Sequence, residues 1–134
     1  MNPLLSYGYT LKIASRKGNQ IFSPDKITRM ESKSNYTSIF FTDRNPILSS
    51  RVLKRFEEAL IPYGFVRVHH SHLVNRKFID HLSENLGRAA IVMNDLTTVD
   101  ISKRRKKEVF LILREGPGII QGWSNFYSVA NGNI

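Results

Sequence analysis

The segment 65–76 holds three of the four histidines and a serine, the densest group of side chains that could bind a metal or react with a substrate. His70 and His72 would share one face of a strand and would offer two nitrogen ligands to a zinc ion. The next candidate donors, Asp80 and His81, stand apart from this group, and the basic surroundings would repel a divalent cation. We therefore predict neither a metal site nor a bound cofactor. Taken singly, such histidines are most often packed or solvated side chains.

Ser71 is the candidate nucleophile of this segment, because histidines flank it in the sequence. Adjacent residues do not form the geometry that activates a serine, since the serine, histidine and acid must meet in space. The chain has no cysteine, its 11 carboxylates are scattered, and neither a Gly-x-Ser-x-Gly turn nor a glycine-rich phosphate loop occurs. The sequence therefore predicts that the protein is not an enzyme.

Positive charge is the strongest compositional signal: 20 lysines and arginines against 11 carboxylates give a formal net charge of +9. Residues 103–107 are all basic, and they begin a stretch whose spacing predicts a helix. The helix dipole already places positive charge at that end, so cations there are unfavourable unless an anion binds them. A polyanionic partner is therefore expected, although such a run taken alone is also typical of a solvated surface.

Length and composition restrict the remaining classes. A chain of 134 residues with 41% hydrophobic residues has the size of one folded domain. The lack of cysteine excludes disulfide bridges, and no apolar run approaches the roughly 18–20 residues of a membrane-spanning helix. The N-terminal sequence has no features of a secretion signal. We therefore expect a cytoplasmic protein without a membrane partner.

Turn-forming residues divide the chain into short runs of β-branched and aromatic residues, a pattern typical of a mainly antiparallel β domain. The predicted strands cover 9–14, 36–41, 89–93 and 96–101, with a weaker one over 27–31. Helical spacing predicts two helices, over 50–60 and 103–113. Ser49 or Ser50 would cap the first helix, and Ser102 would cap the second.

A series of sequence blocks carries a family resemblance. The longest is Phe65-Val-Arg-Val-His-His-Ser-His-Leu-Val-Asn75, and the others are Asp25–Glu31, Asn35-Tyr36, Arg51–Leu60, Ile79 and Val99–Arg105. Together these blocks resemble the LytTR-type DNA-binding domain of bacterial transcriptional regulators, in the family's order. The resemblance covers about residues 10–113, and the sequence after Glu115 holds no charged side chain and has no counterpart in the family. We therefore predict an N-terminal segment 1–9, a DNA-binding domain 10–115 and an uncharged C-terminal tail 116–134.

The resemblance implies a mainly β fold of elongated antiparallel sheets with two or three short helices. It also implies that three neighbourhoods contact DNA: one loop, the turn after Val68 and the start of the last helix. The assigned residues are Lys33, Asn35, Tyr36, His69, His70, Ser71, Lys103, Arg104 and Arg105. Arg104 suits direct base readout, because its guanidinium can bind guanine O6 and N7 together. Arg67 and Asn75 are expected to brace the turn.

For function, the resemblance implies sequence-specific binding of double-stranded DNA by a bacterial regulator, with bases read in successive grooves by loops and a helix N-terminus. Many relatives are response regulators of two-component systems that bind paired promoter repeats, which predicts a homodimer or a side-by-side pair on DNA. The alternative is a β-rich RNA-binding or ribosome-associated domain, which would expose aromatic stacking platforms; Tyr36, Phe40 and Phe41 could be mistaken for such a platform. A protein-interaction module with incidental charge is a third class.

Overall fold

The computed structural model describes residues 5–6 and 10–115 of the chain. The predicted C-terminal tail over 116–134 lies outside the described residues. The strands are β1 (Leu5–Ser6), β2 (Thr10–Ser15), β3 (Gly18–Phe22), β4 (Ile27–Lys33), β5 (Tyr36–Phe41), β6 (Ile47–Ser49), β7 (Phe65–His69), β8 (His72–Asn75), β9 (Ile79–Asn85), β10 (Arg88–Met93) and β11 (Thr98–Asp100). The α-helices are α1 (Leu53–Leu60) and α2 (Lys106–Glu115), and short 3₁₀ turns cover Pro24–Lys26, Ile61–Tyr63 and Arg76–Phe78. The predicted mainly β fold is confirmed.

The strands form two antiparallel sheets. The larger has the order β1-β2-β6-β5-β4-β8-β7, with β3 also paired to β2, and the smaller has the order β11-β10-β9. The chain divides into two compact units. The first unit holds the residues up to Arg67 together with Ser71–Asn75, and the second holds Val68–His70 together with the residues from Arg76 onward.

The first unit is built around the β4–β5 hairpin, which also pairs with β8 and β6. Alternation along these strands buries one side, so that Met30 and Ile39 are fully enclosed. Helix α1 buries Phe56 and Leu60 against the same core, as its apolar spacing predicted. The segment 27–31, the weakest predicted strand, is confirmed as the first part of β4.

The predicted serine cap of α1 is wrong. The residue before the helix is Val52, which makes no side-chain capping hydrogen bond, and it is 54% exposed although its spacing placed it on the apolar face. Ser49 is unavailable as a cap because it ends β6, where it pairs with Thr37. Its hydroxyl instead accepts a hydrogen bond from the Arg51 amide at 3.2 Å.

The second unit is built from the β9–β10–β11 sheet and α2. Val99 and Ile101 are buried and Asp100 is exposed, as the alternation predicted. Val109 and Leu113 form the buried stripe of α2. Among the described residues, no helix has the length and apolar character needed to cross a membrane.

Both ends of α2 are fixed by hydrogen bonds. The Ser102 hydroxyl, the predicted cap of the helix, accepts a hydrogen bond from the Arg105 amide at 3.3 Å and so closes the turn over 103–105 that precedes α2. The regular helix starts at Lys106 and not at Lys103, because residues 103–105 form a turn first. At the other end the Arg76 guanidinium donates to the carbonyls of Ile112 and Leu113. Burial lowers the pKa of Arg76, and the carbonyls replace part of the lost water.

Candidate nucleic-acid interface

The β4–β5 turn carries three of the predicted DNA contacts. Lys33 pairs with Tyr36 across the two-residue turn, whose first residue, Ser34, has a φ of 56°. The side chains of Lys33, Asn35 and Tyr36 are all exposed. Lys33 Nζ lies 3.9 Å from Glu31 Oε2, so its charge is only weakly compensated. The turn therefore presents one cation, one amide and one phenol.

Ser71 lies beside this turn in the first unit. Its carbonyl accepts a hydrogen bond from the Ser32 amide at 2.9 Å, and the next residue, His72, pairs with Glu31 of β4. The Nδ1 atom of His72 lies 3.7 Å from Glu31 Oε1. The structure thus brings Ser71 next to the predicted 33–36 loop.

The second unit brings His69 and His70 next to the turn before α2. The Ser102 amide donates to the Val68 carbonyl at 3.0 Å. Val68 directly precedes His69, and Ser102 directly precedes Lys103. His69 and Lys103 line the same cleft, which has a volume of about 270 Å³. Arg88 and Lys106 add two further basic side chains to its walls. Asp100 adds one carboxylate, so the cleft holds three basic side chains and one acidic one where the family resemblance placed DNA contacts.

The five cations of residues 103–107 differ in availability. Lys103 and Arg104 are exposed, and neither has an ion-pair partner among the described residues. Lys106 forms an ion pair with Glu84 and lies 5.7 Å from the centre of the Phe110 ring. The Arg105 side chain is half-buried, and its Nε has no hydrogen-bond partner within the described part of the chain. Lys107 is exposed as well but belongs to α2, so within the turn over 103–105 the cations best placed to meet an anion are Lys103 and Arg104.

Arg88 was missed by the sequence interpretation. It is exposed at the first position of β10 and has no ion-pair partner among residues 10–114. A turn at residues 85–87 was recognisable from its asparagine and glycine. The cleft, however, brings Arg88 together with Ser102 and Lys103, which are distant from it in the sequence. No local signal could have placed Arg88 in the cleft.

Arg67 and Asn75 have structural contacts. Arg67 Nη1 donates to Glu57 Oε1 on α1 at 2.6 Å, and the Arg67 side chain is only 10% exposed. Asn75 is buried, and its amide donates to the Ile27 carbonyl at 2.9 Å. These contacts tie Arg67 to α1 and Asn75 to the start of β4, and the expectation that the two residues brace the turn after Val68 stays a prediction.

The geometry does not favour the metal interpretation. His81 Nδ1 lies 2.7 Å from Asp80 Oδ2, and His72 faces Glu31. Across the described residues, no group of three or more histidine, aspartate or glutamate side chains could hold a metal ion. These histidines instead form separate local contacts.

Tyr36, Phe40 and Phe41 do not form the aromatic platform that the RNA-binding alternative would require. Phe40 and Phe41 are consecutive in β5 and so point to opposite faces of the sheet. The Arg29 guanidinium covers the Phe40 ring at 3.8 Å, whereas the Phe41 ring packs 4.8 Å from that of Phe22. Tyr36 is left as a single exposed ring, which does not make a surface for successive bases.

Comparison with known proteins agrees with the sequence interpretation. The family model of the LytTr DNA-binding domain matches residues 18–114. A solved LytTr DNA-binding domain from Bacillus cereus, provisionally assigned to a methyl-accepting/DNA response regulator, is similar in fold with a TM-score of 0.66 and 19% sequence identity. The match covers 81% of this chain and 98% of that one. No curated protein sequence matches the chain.

Proposed function

This chain belongs to the LytTR family of DNA-binding domains, and we propose that it recognises specific sequences of double-stranded DNA as part of a bacterial transcription regulator. The observation that carries the proposal is the second-unit cleft, where His69, Arg88 and Lys103 meet beside the start of α2. Its basic side chains and the nearby N-terminus of α2 both attract phosphate oxygens.

Lys103, Arg104 and Arg88 act first, by electrostatic capture. Their side chains are exposed, and no described ion pair neutralises them. Each phosphate that they bind releases a condensed counterion, which drives association without regard to sequence. Arg105, half-buried beside them, contributes charge from behind the contact surface.

Base readout comes from side chains with directional hydrogen bonds. Arg104 donates to O6 and N7 of a guanine, and His70, which is exposed, reads a base edge as donor or acceptor. Asn35 can bind adenine N6 and N7 in the same two-point way. The loop with Asn35 and Tyr36 and the turn with His70 and Ser71 read bases in successive grooves, together with the start of α2.

The regulator binds paired repeats through two copies of this chain on one side of the DNA. Repeats a whole number of turns apart, about 10–10.5 bp per turn, would present the same groove to each copy. Like the response regulators of two-component systems, this regulator would act in the cytoplasm.

Selection of bound duplexes from a random DNA pool tests the proposal. We expect enrichment of one sequence motif, present twice at a spacing near a whole number of turns. A labelled duplex carrying this motif should bind much more tightly than a shuffled duplex or a single-stranded RNA of equal length. Equal binding to all three probes would contradict sequence-specific DNA recognition.

A further inference from the structure

Leu86 stands at the tip of the β9–β10 turn, where its side chain is 96% exposed. Asn85 pairs with Arg88 across this turn, which leaves Leu86 and Gly87 as the two loop residues. Both have positive φ angles, 53° for Leu86 and 81° for Gly87. Such turns are usually formed by Asn-Gly, because asparagine tolerates the left-handed conformation better than other side chains.

A leucine at position 86 adds no buried apolar contact to the fold. The side chain leaves almost no surface buried, so its apolar groups do not stabilise the core. An asparagine or glycine would form the same turn with less strain. Backbone strain at a residue that the core does not use is a feature of positions that contact a ligand.

The charge around the turn identifies the partner. Gly87 and Arg88, the next two residues, line the cleft that also holds His69 and Lys103. This surface favours a polyanion, and among polyanions double-stranded DNA also offers an exposed apolar group, the C5-methyl of thymine. We propose that Leu86 contacts a thymine methyl in the groove beside the phosphates bound by Arg88 and Lys103. This inference rests on the proposed DNA-binding function and adds a base contact to it.

Leu96 provides an internal control. It lies in the turn between β10 and β11, at the other end of β10, with a φ of 71° and 77% exposure. Its neighbour Asp95 is acidic, and its side-chain carboxylate accepts a hydrogen bond from the Thr97 amide at 2.9 Å. Exposure and backbone conformation are therefore alike for the two leucines, and only Leu86 is followed in the sequence by residues that line the cleft, Gly87 and Arg88.

The test uses Leu86→Asn and Leu96→Asn in the full chain. Asparagine suits both backbone conformations, so the midpoint of thermal unfolding should stay equal or rise in both variants. We expect Leu86→Asn to weaken binding to the selected duplex about tenfold, the factor that corresponds to about 1.4 kcal/mol. Leu96→Asn should bind like the unaltered protein.

Replacing each thymine of the duplex by deoxyuridine, which lacks only the methyl group, locates the contact. One replacement should weaken the unaltered protein and leave the binding of Leu86→Asn unchanged. The inference is overturned if Leu86→Asn binds as tightly as the unaltered protein, if both variants lose affinity equally, or if no thymine shows this dependence. A fall in the unfolding midpoint of Leu86→Asn alone would assign Leu86 to the fold and overturn it as well. If the unaltered protein binds no duplex, the proposed function itself fails.

Discussion

The turn before α2 in the second unit and the β4–β5 turn in the first unit are both proposed to contact DNA, yet they present opposite chemistry. The former has three consecutive cations, Lys103 to Arg105, followed by a helix N-terminus. The latter has a single cation, Lys33, whose ammonium already lies near Glu31. The turn before α2 is suited to binding phosphates through its positive charge, and the β4–β5 turn is suited to hydrogen bonds from Asn35 and Tyr36.

This difference separates two properties of a DNA-binding protein. Phosphate contacts supply affinity that falls with salt, whereas contacts to base edges supply preference among sequences. We therefore expect the second unit to set the salt dependence and the first unit to adjust specificity. Arg104 belongs to both classes, because its guanidinium has the charge for a phosphate and the planar fork for guanine.

The largest predicted effect is on salt dependence. If about six phosphates are neutralised, log K against log salt should have a slope near −5, and affinity should fall about a thousandfold between roughly 50 and 200 mM salt. Lys103→Ala should make the slope shallower by about one, whereas Asn35→Ala should leave it unchanged. Anisotropy titrations over a salt series measure both slopes. A slope near zero for the unaltered protein would rule out electrostatic capture.

The next largest effect concerns Arg104. Arg104→Ala should weaken binding to the selected duplex by about 1–3 kcal/mol and relax the preference at one base pair. Arg55→Ala removes an equally exposed arginine from α1 and should change neither property. Competition against duplexes with single base-pair changes measures the preference. A small and equal loss on every sequence would make Arg104 a phosphate contact.

A stability prediction tests how the C-terminal end of α2 is held. Arg76→Ala removes the donors to the last carbonyls of α2 and should lower the free energy of unfolding by about 1–2 kcal/mol. Arg76→Lys keeps the charge but not the two-point geometry, so it should show part of this loss. Urea titrations measure the change. An unaltered midpoint in Arg76→Ala would show that these bonds do not secure α2.

The smallest effect is expected at the neutral turn. Asn35→Ala should weaken binding to the selected duplex by about 0.5–1.5 kcal/mol, the value of one hydrogen bond, and should not change binding to a shuffled duplex. Asn19→Ala, an exposed asparagine of β3, is the control. Equal weakening on both duplexes would mean that Asn35 contacts the phosphate backbone instead of a base.

Alternating and helical spacings of apolar residues predicted the strands and helices that such spacings specify directly. The strand over 36–41 agrees with β5 at both ends, because alternating and aromatic residues between turn formers specify a strand directly. The apolar spacing over 50–60 located α1, but not its first residue. The serine cap was wrong because strand pairing occupies Ser49, and such pairing joins residues distant in sequence.

Part of the candidate site was likewise predicted from the sequence, and part of it was not. Family resemblance supplied Lys103 and His69, which the structure places around one cleft. It did not supply Arg88, nor the ion pair of Lys106 with Glu84, because both depend on packing between the β9–β10 hairpin and the turn before α2. A run of five cations in the sequence also does not reveal that Arg105 is half-buried.

The central claim is that side chains from both units contact one DNA site. Amide NMR spectra of the labelled protein, recorded as the selected duplex is added, test it most directly. We predict that the signals of residues 33–36, 69–71 and 103–105 shift together and saturate at the same DNA concentration, while those of Arg55 and Leu96 do not move. Shifts confined to one of the two units, or equal shifts with a shuffled duplex at the same salt, would contradict the claim.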